Sequence, residues 1–466
     1  MRGANRVDDF GGQLMRVVIA GYGMAGARLA RELGGRGAEV TVFGAESEAA
    51  YNRVLLSGLL AGSHSETGVR LPPPPDNVDI RLDTPVSSID TVGRTVNGVG
   101  YDALVLATGA DAIMPPIPGL APSERVMAFR TMADCRRIIE ASRGGDRALV
   151  LGGGLLGVEA ARGLAGRGMR VTVVHAAEHL MERQLDPAGA AMLAGTLDSI
   201  GVASRTGAAA VAVDQSGDEV RLRLADGTEL SGDLLVVSCG VAPNIGLARR
   251  AGLRVNRGVV IDDRCRTSDP RVYAIGDCAE HDGHCYGLVG PAWEQADVVA
   301  DVLSGQEGGY RGSRQVTRLK TDGIDLAAMG VVDGDEVVSF ADPVRRTYAR
   351  LVIEAGRLAG AILLGDNPTV GDLVRMFDQG EPVPFDRRRL LLGAAAPVAE
   401  SADDETVCRC NSVDAAAITS AWHGGARTVE QLAAKTLATT GCGGCTDTVS
   451  RMCERLGRTE LSGVRS

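Results

Sequence analysis

The chain has 466 residues, 45% of them apolar and 23% charged, which describes a globular protein too long for one hydrophobic core and long enough for three or four domains. With 59 acidic against 49 basic residues the net charge is −10, and with 3% aromatics the chain lacks both the clustered cations and the stacking platforms of nucleic-acid binders. No uninterrupted run of about 18 apolar residues is present to span a bilayer, and residues 1–14 are polar and Gly-rich without an apolar h-region, so neither membrane nor secretion is expected and the location is read as cytoplasmic.

Residues 1–14 are expected to form a disordered extension, or to precede a true start at Met15. Arg16-Val17-Val18-Ile19-Ala20 is a β-branched run that predicts a strand; Gly21-Tyr22-Gly23-Met24-Ala25-Gly26 follows, then an Ala-rich helical pattern over 27–33. Strand, tight turn and helix in this order are what a dinucleotide-binding G-x-G-x-x-G requires, whereas the same glycines in isolation would mark only a turn. Gly21, Gly23 and Gly26 are expected to let the backbone approach a pyrophosphate held by the N-H groups of the helix start, so that side chains at Gly21 or Gly23 would block it. A second strand, 39–43, leads to Glu46, a carboxylate placed to accept from ribose hydroxyls.

A strand over 101–108 runs into Thr108-Gly109, and the opening pattern then repeats: strand 147–151, Gly152-Gly153-Gly154-Leu155-Leu156-Gly157, helix 158–164 and strand 170–174. Two such units predict two dinucleotides, as in a flavoprotein that takes hydride from a nicotinamide. At the end of the second unit's second strand a carboxylate would favour NADH and an Arg NADPH. His175 stands there, with Glu178 nearby and no Arg before Arg183, which favours NADH and leaves NADPH open. Further on, strand 233–237 runs into Ser238-Cys239-Gly240, and Thr267 to Asp277 forms a short strand ending in Gly276-Asp277, where a carboxylate can bind a flavin ribitol.

Residues 15 to about 310 resemble the two-dinucleotide-binding flavoprotein disulfide reductase family, in which the FAD domain is interrupted by an NAD(P)H domain. The resemblance implies an FAD-binding domain over 15–125 and 240–310, an NAD(P)H-binding domain over 126–239, and FAD and NADH or NADPH as cofactors. The redox C-x4-C of those enzymes is missing, since no cysteine precedes Cys135. Tyr51-Asn52-Arg53-Val54-Leu55-Leu56-Ser57 resembles both the Y-D-R-P-P-L-S-K stretch of ferredoxin reductases and the Y-D-R-V-x-L-S stretch of the NADH-dependent nitrite reductase large subunit, with Gly58 where the former have Lys. Leu180 to Asp186 also resembles the nitrite reductase family. By this resemblance Arg53, Ser57, Thr108, Gly109, Gly240 and Gly276 join the cofactor-binding set, and Glu159 faces flavin and nicotinamide, or else is a carboxylate favoured by a helix N-terminus. Trp293 and Glu294 resemble a helix start over the flavin, although Trp293 could equally be a buried core residue. No acid-base or nucleophilic residue is assigned.

Strands over 315–319, 325–331 and 349–354 and a helix over 370–377 resemble the small interface domain of this class, assigned to 311–392, which often supports dimerisation and leaves a homodimer open. Arg387-Arg388-Arg389 is read as a solvated face or an interdomain contact. An Ala, Pro and acidic linker, 393–405, would let the last domain, 406–460, swing. That domain holds Cys408-Arg409-Cys410 and Cys442-Gly443-Gly444-Cys445, two thiolate pairs separated by 31 residues, enough for two short helices. Ligand chemistry alone leaves an iron-sulfur cluster, a structural zinc or free thiols open. The pattern resembles the bacterioferritin-associated-ferredoxin-like [2Fe-2S] domain, which implies that Cys408, Cys410, Cys442 and Cys445 all ligate a cluster. The other six cysteines are expected to be small buried hydrophobes.

The expected fold is α/β: two Rossmann-like dinucleotide-binding domains, a small α+β interface domain and a small helical [2Fe-2S] domain. The domain order resembles that of nitrite reductase large subunits, whose sirohaem and [4Fe-4S] domains would follow where this sequence ends at Ser466. Three readings follow. In the first, electrons pass from NAD(P)H through FAD and a [2Fe-2S] cluster to the catalytic subunit of an assimilatory nitrate or nitrite reductase. The second is a stand-alone reductase of a small ferredoxin or rubredoxin, and the third a non-electron-transfer protein whose four paired cysteines form a structural zinc or redox-sensing site.

Overall fold

The computed structural model describes residues 15–321, 323–392, 406–441 and 443–463; the proposed extension 1–14, the linker 393–405 and Cys442 lie outside them. The first unit is built on a five-stranded parallel sheet in the order Val272–Ala274, Ala103–Leu106, Arg16–Ala20, Glu39–Phe43, Val78–Arg81. Its central strands are continuous apolar runs because helices cover both faces, so nearly every side chain is buried. Helix α1, Met24–Gly35, follows the first strand, and a short helix α2, Leu56–Ala61, lies beyond the second.

The second unit repeats this plan, with parallel strands in the order Val202–Arg205, Arg170–Val174, Arg147–Leu151, Leu234–Val237, Val126–Ala128. Helices α3, Met132–Ser142, α4, Leu155–Gly166, and α5, Pro187–Asp198, pack around it. Helix α3 starts on a reciprocal cap, Thr131 accepting from the Asp134 amide while the Asp134 carboxylate accepts from that of Thr131, which satisfies two helix-end donors at once. The chain crosses between units on an antiparallel ribbon pairing Ala110–Ala112 with Val241–Pro243 and returns through α6, Gly246–Arg250, to the long helix α7, Val289–Leu303, which packs along α1.

A five-stranded antiparallel sheet follows, ordered Val316–Thr321, Ile324–Gly330, Arg357–Leu364, Thr347–Glu354, Glu336–Asp342, with α8, Val370–Gln379, against it and α9, Arg388–Leu392, closing the segment. Two of these strands, Glu336–Asp342 and Arg357–Leu364, have no counterpart in the sequence expectation. The former is an edge strand, largely exposed, and shows no apolar alternation to read. Arg387 pairs with Glu336 within this unit and Arg388 with Asp386, so the arginine run serves as surface ion pairs. Leu319, Ile324, Leu326 and Tyr348 of this sheet and Leu56, Leu59 and Leu60 of α2 share one core with the second unit, whereas the first unit has its own.

The last unit has a separate small core. A two-stranded ribbon, Thr406–Cys408 with Val413–Asp414, leads to α10, Ala415–His423, α11, Val429–Thr436, and α12, Thr446–Gly463. Helices α10 and α11 are the two short helices expected between the cysteine pairs. Among the described residues, no helix is long and apolar enough to cross a membrane.

Candidate functional site

Both glycine turns have the same construction. Gly21 has a φ of +118° and Gly152 one of +110°, a region closed to residues with a Cβ, and a Cβ on either would strike a carbonyl of the adjacent strand end, Ala107 or Ser238. Gly26 and Gly157 are pressed against the carbonyls of Gly21 and Gly152. Gly23 and Gly154 differ: each has an ordinary extended backbone as helix N-cap, no side-chain cap, and nothing within 4 Å of where a Cβ would stand. The expectation for Gly21 is therefore corrected. A side chain there is excluded by the protein's own backbone, whereas Gly23 and Gly154 each border open space before an uncapped helix start.

Around the first turn, Glu46 accepts from Tyr51 Oη at 2.7 Å and is paired with Arg53, and Tyr51 Oη in turn accepts from the Met132 amide at 3.0 Å. Thr108 Oγ1 donates to the Asn244 carbonyl at 3.0 Å and Asn244 Nδ2 returns to the Thr108 carbonyl at 3.1 Å, which ties Gly109 to the crossover ribbon; Gly240 sits at the other end of that ribbon. The Gly276 amide is held by Gln295 Oε1 at 2.8 Å, and Asp277 accepts from Arg130 at 2.5 Å. Tyr51 opens the Tyr51–Ser57 stretch but was given no role of its own from the sequence, and neither Arg130 nor Gln295 was assigned one; all three lie outside any glycine motif.

Around the second turn, His175 does more than end a strand. Its Nδ1 accepts from the Gly153 amide at 3.1 Å, which fixes the ring proton on Nε2, and this proton meets Glu182 Oε2 at 2.9 Å. Glu182 is thus the carboxylate at this rim, supplied from the next loop rather than from the strand end. Glu159, in the second turn of α4, hydrogen-bonds Ser57 of α2; its surroundings are dense although part of its surface stays open, and burial pushes its carboxyl up to about 8. The two units meet at this pair.

The cysteine loop lies against the first unit. Cys408 and Cys445 are buried and Cys410 half-buried. The Sγ atoms of Cys408 and Cys410 are 3.8 Å apart, the separation of two thiolates on one tetrahedral metal with metal–sulfur bonds of about 2.3 Å. The Thr439 amide donates to Cys445 Sγ at 3.2 Å and Asn411 Nδ2 lies 3.8 Å from Cys408 Sγ. The sulfurs of Cys410 and Cys445 hold the Cys408 thiol far below its ordinary range. Among the described residues no three His, Cys, Asp or Glu side chains enclose a single ion. Two sulfurs at ligand spacing, met by backbone and amide donors, suit a thiolate-bound cluster. Trp293, 3% exposed, donates Nε1 to the Met24 carbonyl in the first glycine turn at 3.1 Å, and a Cβ on Gly441 would strike both the Trp293 ring and Cys410 Sγ. Trp293 is thus a buried wall between turn and cysteine loop. Of the remaining cysteines Cys135, Cys265 and Cys278 are buried, while Cys239, Cys285 and Cys453 are only partly so.

The family description "Pyridine nucleotide-disulphide oxidoreductase" matches residues 15–298. The chain belongs to this family. Residues 316–380 match the rubredoxin NAD+ reductase C-terminal domain and residues 406–455 the BFD-like [2Fe-2S] binding domain. FAD and NAD(P)H are the cofactors of the oxidoreductase core and a [2Fe-2S] cluster that of the terminal domain. The chain is 36% identical over 451 residues to the assimilatory nitrate reductase electron transfer subunit of Bacillus subtilis (strain 168), covering 92% of this chain and 58% of that one. It is 34% identical over 453 residues to nitrite reductase [NAD(P)H] of the same organism, covering 92% and 56%. It therefore spans little more than half the length of these relatives. Among solved structures, the covalent putidaredoxin reductase–putidaredoxin complex superposes with a TM-score of 0.73 at 25% identity, covering 82% of this chain and 99% of that one.

Proposed function

We propose that the chain is an NAD(P)H-dependent FAD oxidoreductase that passes single electrons by way of its [2Fe-2S] cluster to an assimilatory nitrate or nitrite reductase. The observation that carries this reading is the placement of the cysteine loop on Trp293, the residue that also braces the first glycine turn. The similarity to a nitrate reductase electron transfer subunit and to a nitrite reductase supports the choice of partner.

Bound flavin supplies the conversion of a two-electron hydride into single electrons. The chain's own residues bind and orient. Gly23 and Gly154, with the uncapped starts of α1 and α4, would each hold a pyrophosphate; Gly21, Gly26, Gly152 and Gly157 keep the two turns tight enough to do so. Glu46, fixed by Tyr51 and Arg53, would take ribose hydroxyls, and Asp277, fixed by Arg130, the ribitol chain. Glu159 with Ser57 would line the contact between the two nucleotides as a protonated, uncharged group at neutral pH. Glu182, set by His175, would accept from a 2′-hydroxyl and repel a 2′-phosphate, so the nicotinamide donor would be NADH. Cys408, Cys410, Cys442 and Cys445 would ligate the cluster.

The test is reconstituted turnover. Full-length protein with NADH should reduce a purified nitrate or nitrite reductase, and the Cys408→Ser protein should not, while both reduce a dye that accepts directly from flavin. Equal turnover of the reductase by both proteins would remove the cysteines from the electron path. Turnover with a small ferredoxin or rubredoxin and none with either reductase would instead establish the second reading, which the match of 316–380 to a rubredoxin reductase domain favours.

A further inference from the structure

A buried side chain that neither glycine turn uses fastens the cysteine loop to the first unit. Asn52 is 1% exposed, and its amide donates to the carbonyls of Thr440 and Gly441, each at 2.6 Å. Its Oδ1 accepts from the Val54 amide at 3.0 Å and so caps the short 3-10 turn Arg53–Leu55. The network fixes the orientation of the amide, because an N–H needs an acceptor on one side and two carbonyls need donors on the other. The stretches this segment resembles carry Asp at this position. Asp could keep the Val54 cap, but its second oxygen would face two carbonyl oxygens with no proton between them. Gly441 precedes a ligand position and is wedged between Cys410 Sγ and Trp293, so what Asn52 grips is the cysteine loop itself. The flanking ties are more peripheral: Arg28 reaches Asn411 Oδ1 at 3.4 Å, and Arg409 pairs with Asp378 at 2.6 Å and donates to the Arg314 carbonyl at 2.6 Å.

We propose that Asn52 is a positioning residue, the latch that holds the cysteine domain on the flavin-binding unit in its electron-receiving pose. Its kinetic consequence rests on the electron-relay reading above, and the latch itself does not. In that relay NADH yields NAD+, one proton released to solvent and two electrons, each taken by the cluster in turn and passed to a one-electron acceptor.

The experiment compares full-length wild type with Asn52→Asp and Asn52→Ser, both of which retain an acceptor for the Val54 amide. Amide hydrogen exchange across residues 437–445 and small-angle scattering report docking, and stopped-flow absorbance reports reduction of flavin and of cluster separately. In both variants exchange of the loop should accelerate by about tenfold, as expected when a local contact worth one or two hydrogen bonds is lost. The radius of gyration should rise, cluster reduction should slow by at least about tenfold, and flavin bleaching by NADH should stay within about twofold. Unchanged exchange and scattering in both variants would overturn the latch. Loosened docking with unchanged cluster reduction would overturn the electron-receiving pose. Should the variants loosen while the wild-type cluster is never reduced by NADH, the latch stands and the relay reading fails.

Discussion

At Gly21–Gly26 and at Gly152–Gly157 the same backbone constraints recur, yet the rims of the two turns are built from different chemistry. The first is flanked by Trp293 on the Met24 carbonyl, with the cysteine loop behind it, and by Glu46 and Asp277, each already engaged by an arginine. The second is plugged by His175, whose ring accepts from the turn's own Gly153 amide and presents its remaining proton to Glu182. On the proposed reading each turn would take a pyrophosphate, and the rim would decide which nucleotide carries it and what stands next to it. A flavin that must hand electrons onward is expected where the wall continues into a ligand loop, and an exchangeable nicotinamide where the rim ends in partly exposed side chains.

Replacing the equivalent glycine of each turn by valine should break this comparison most sharply. Gly23→Val is expected to give folded, flavin-free protein that shows only the cluster bands, and Gly154→Val a flavin-saturated protein whose flavin needs at least about tenfold more NADH for bleaching, since a side chain would occupy the space of a tightly approached phosphate. Absorbance at purification and an NADH titration separate the two. A flavin-saturated Gly23→Val protein would count against the first assignment. Gly21→Val belongs to another class: with the Ala107 carbonyl in the way and φ at +118°, it should cost at least about 3 kcal/mol of folding stability, read in a urea titration.

The terminal domain extends the comparison. Cys408→Ser and Cys442→Ser should each lose iron, acid-labile sulfide and the visible cluster bands while keeping one FAD per chain, because the cysteine domain has its own core. Loss of FAD together with the cluster would mean that the domain and the first unit fold as one.

Much of this was legible in sequence, for identifiable reasons. The strands Arg16–Ala20, Glu39–Phe43, Arg147–Leu151 and Arg170–Val174 are short, mostly apolar runs buried on both faces, and their limits were readable to the residue because glycine turns or polar residues bound them. The five-stranded antiparallel sheet was only partly visible, since its exposed edge strand Glu336–Asp342 carries no burial pattern. At the site, the glycines announced themselves by spacing. Tyr51, Arg130, Glu182 and Asn52 did not, since their roles arise from contacts across as many as 389 positions, as between Asn52 and Gly441, and no local pattern encodes such a contact. The same limit explains Gly21: its spacing pointed to a ligand, and the obstacle is a carbonyl at Ala107 that sequence does not place beside it.

A smaller effect is expected at the second rim. Glu182→Arg replaces the carboxylate that would repel a 2′-phosphate with a cation that would bind one, and should shift the NADH-to-NADPH ratio of kcat/KM by about tenfold toward NADPH, or ~1.4 kcal/mol. The exposure of Glu182, 38% of its side chain, keeps the effect modest. An unchanged ratio would place the nucleotide's ribose elsewhere.

A pH-dependent effect is expected at the contact between the two units, where Glu159 of α4 meets Ser57 of α2. Burial raises this carboxyl from 4.5 to about 8, so the folded protein holds a proton that the unfolded chain gives up. A raised pKa means that the associated stability is complete below about pH 4.5, falls as pH climbs through the interval, and is gone above about pH 8. Glu159→Gln keeps a partner for the Ser57 hydroxyl and removes the titration. Urea unfolding of wild type should therefore lose ~2 kcal/mol relative to Glu159→Gln between pH 6 and pH 8.5, the figure being reduced from the full linkage value because part of the carboxyl remains open to solvent. Taking the difference between two proteins that hold the same flavin cancels the pH dependence common to both. Parallel profiles would mean that Glu159 is ionised at neutral pH, and the contact between the two nucleotide sites would then carry a negative charge in place of the uncharged group its burial requires.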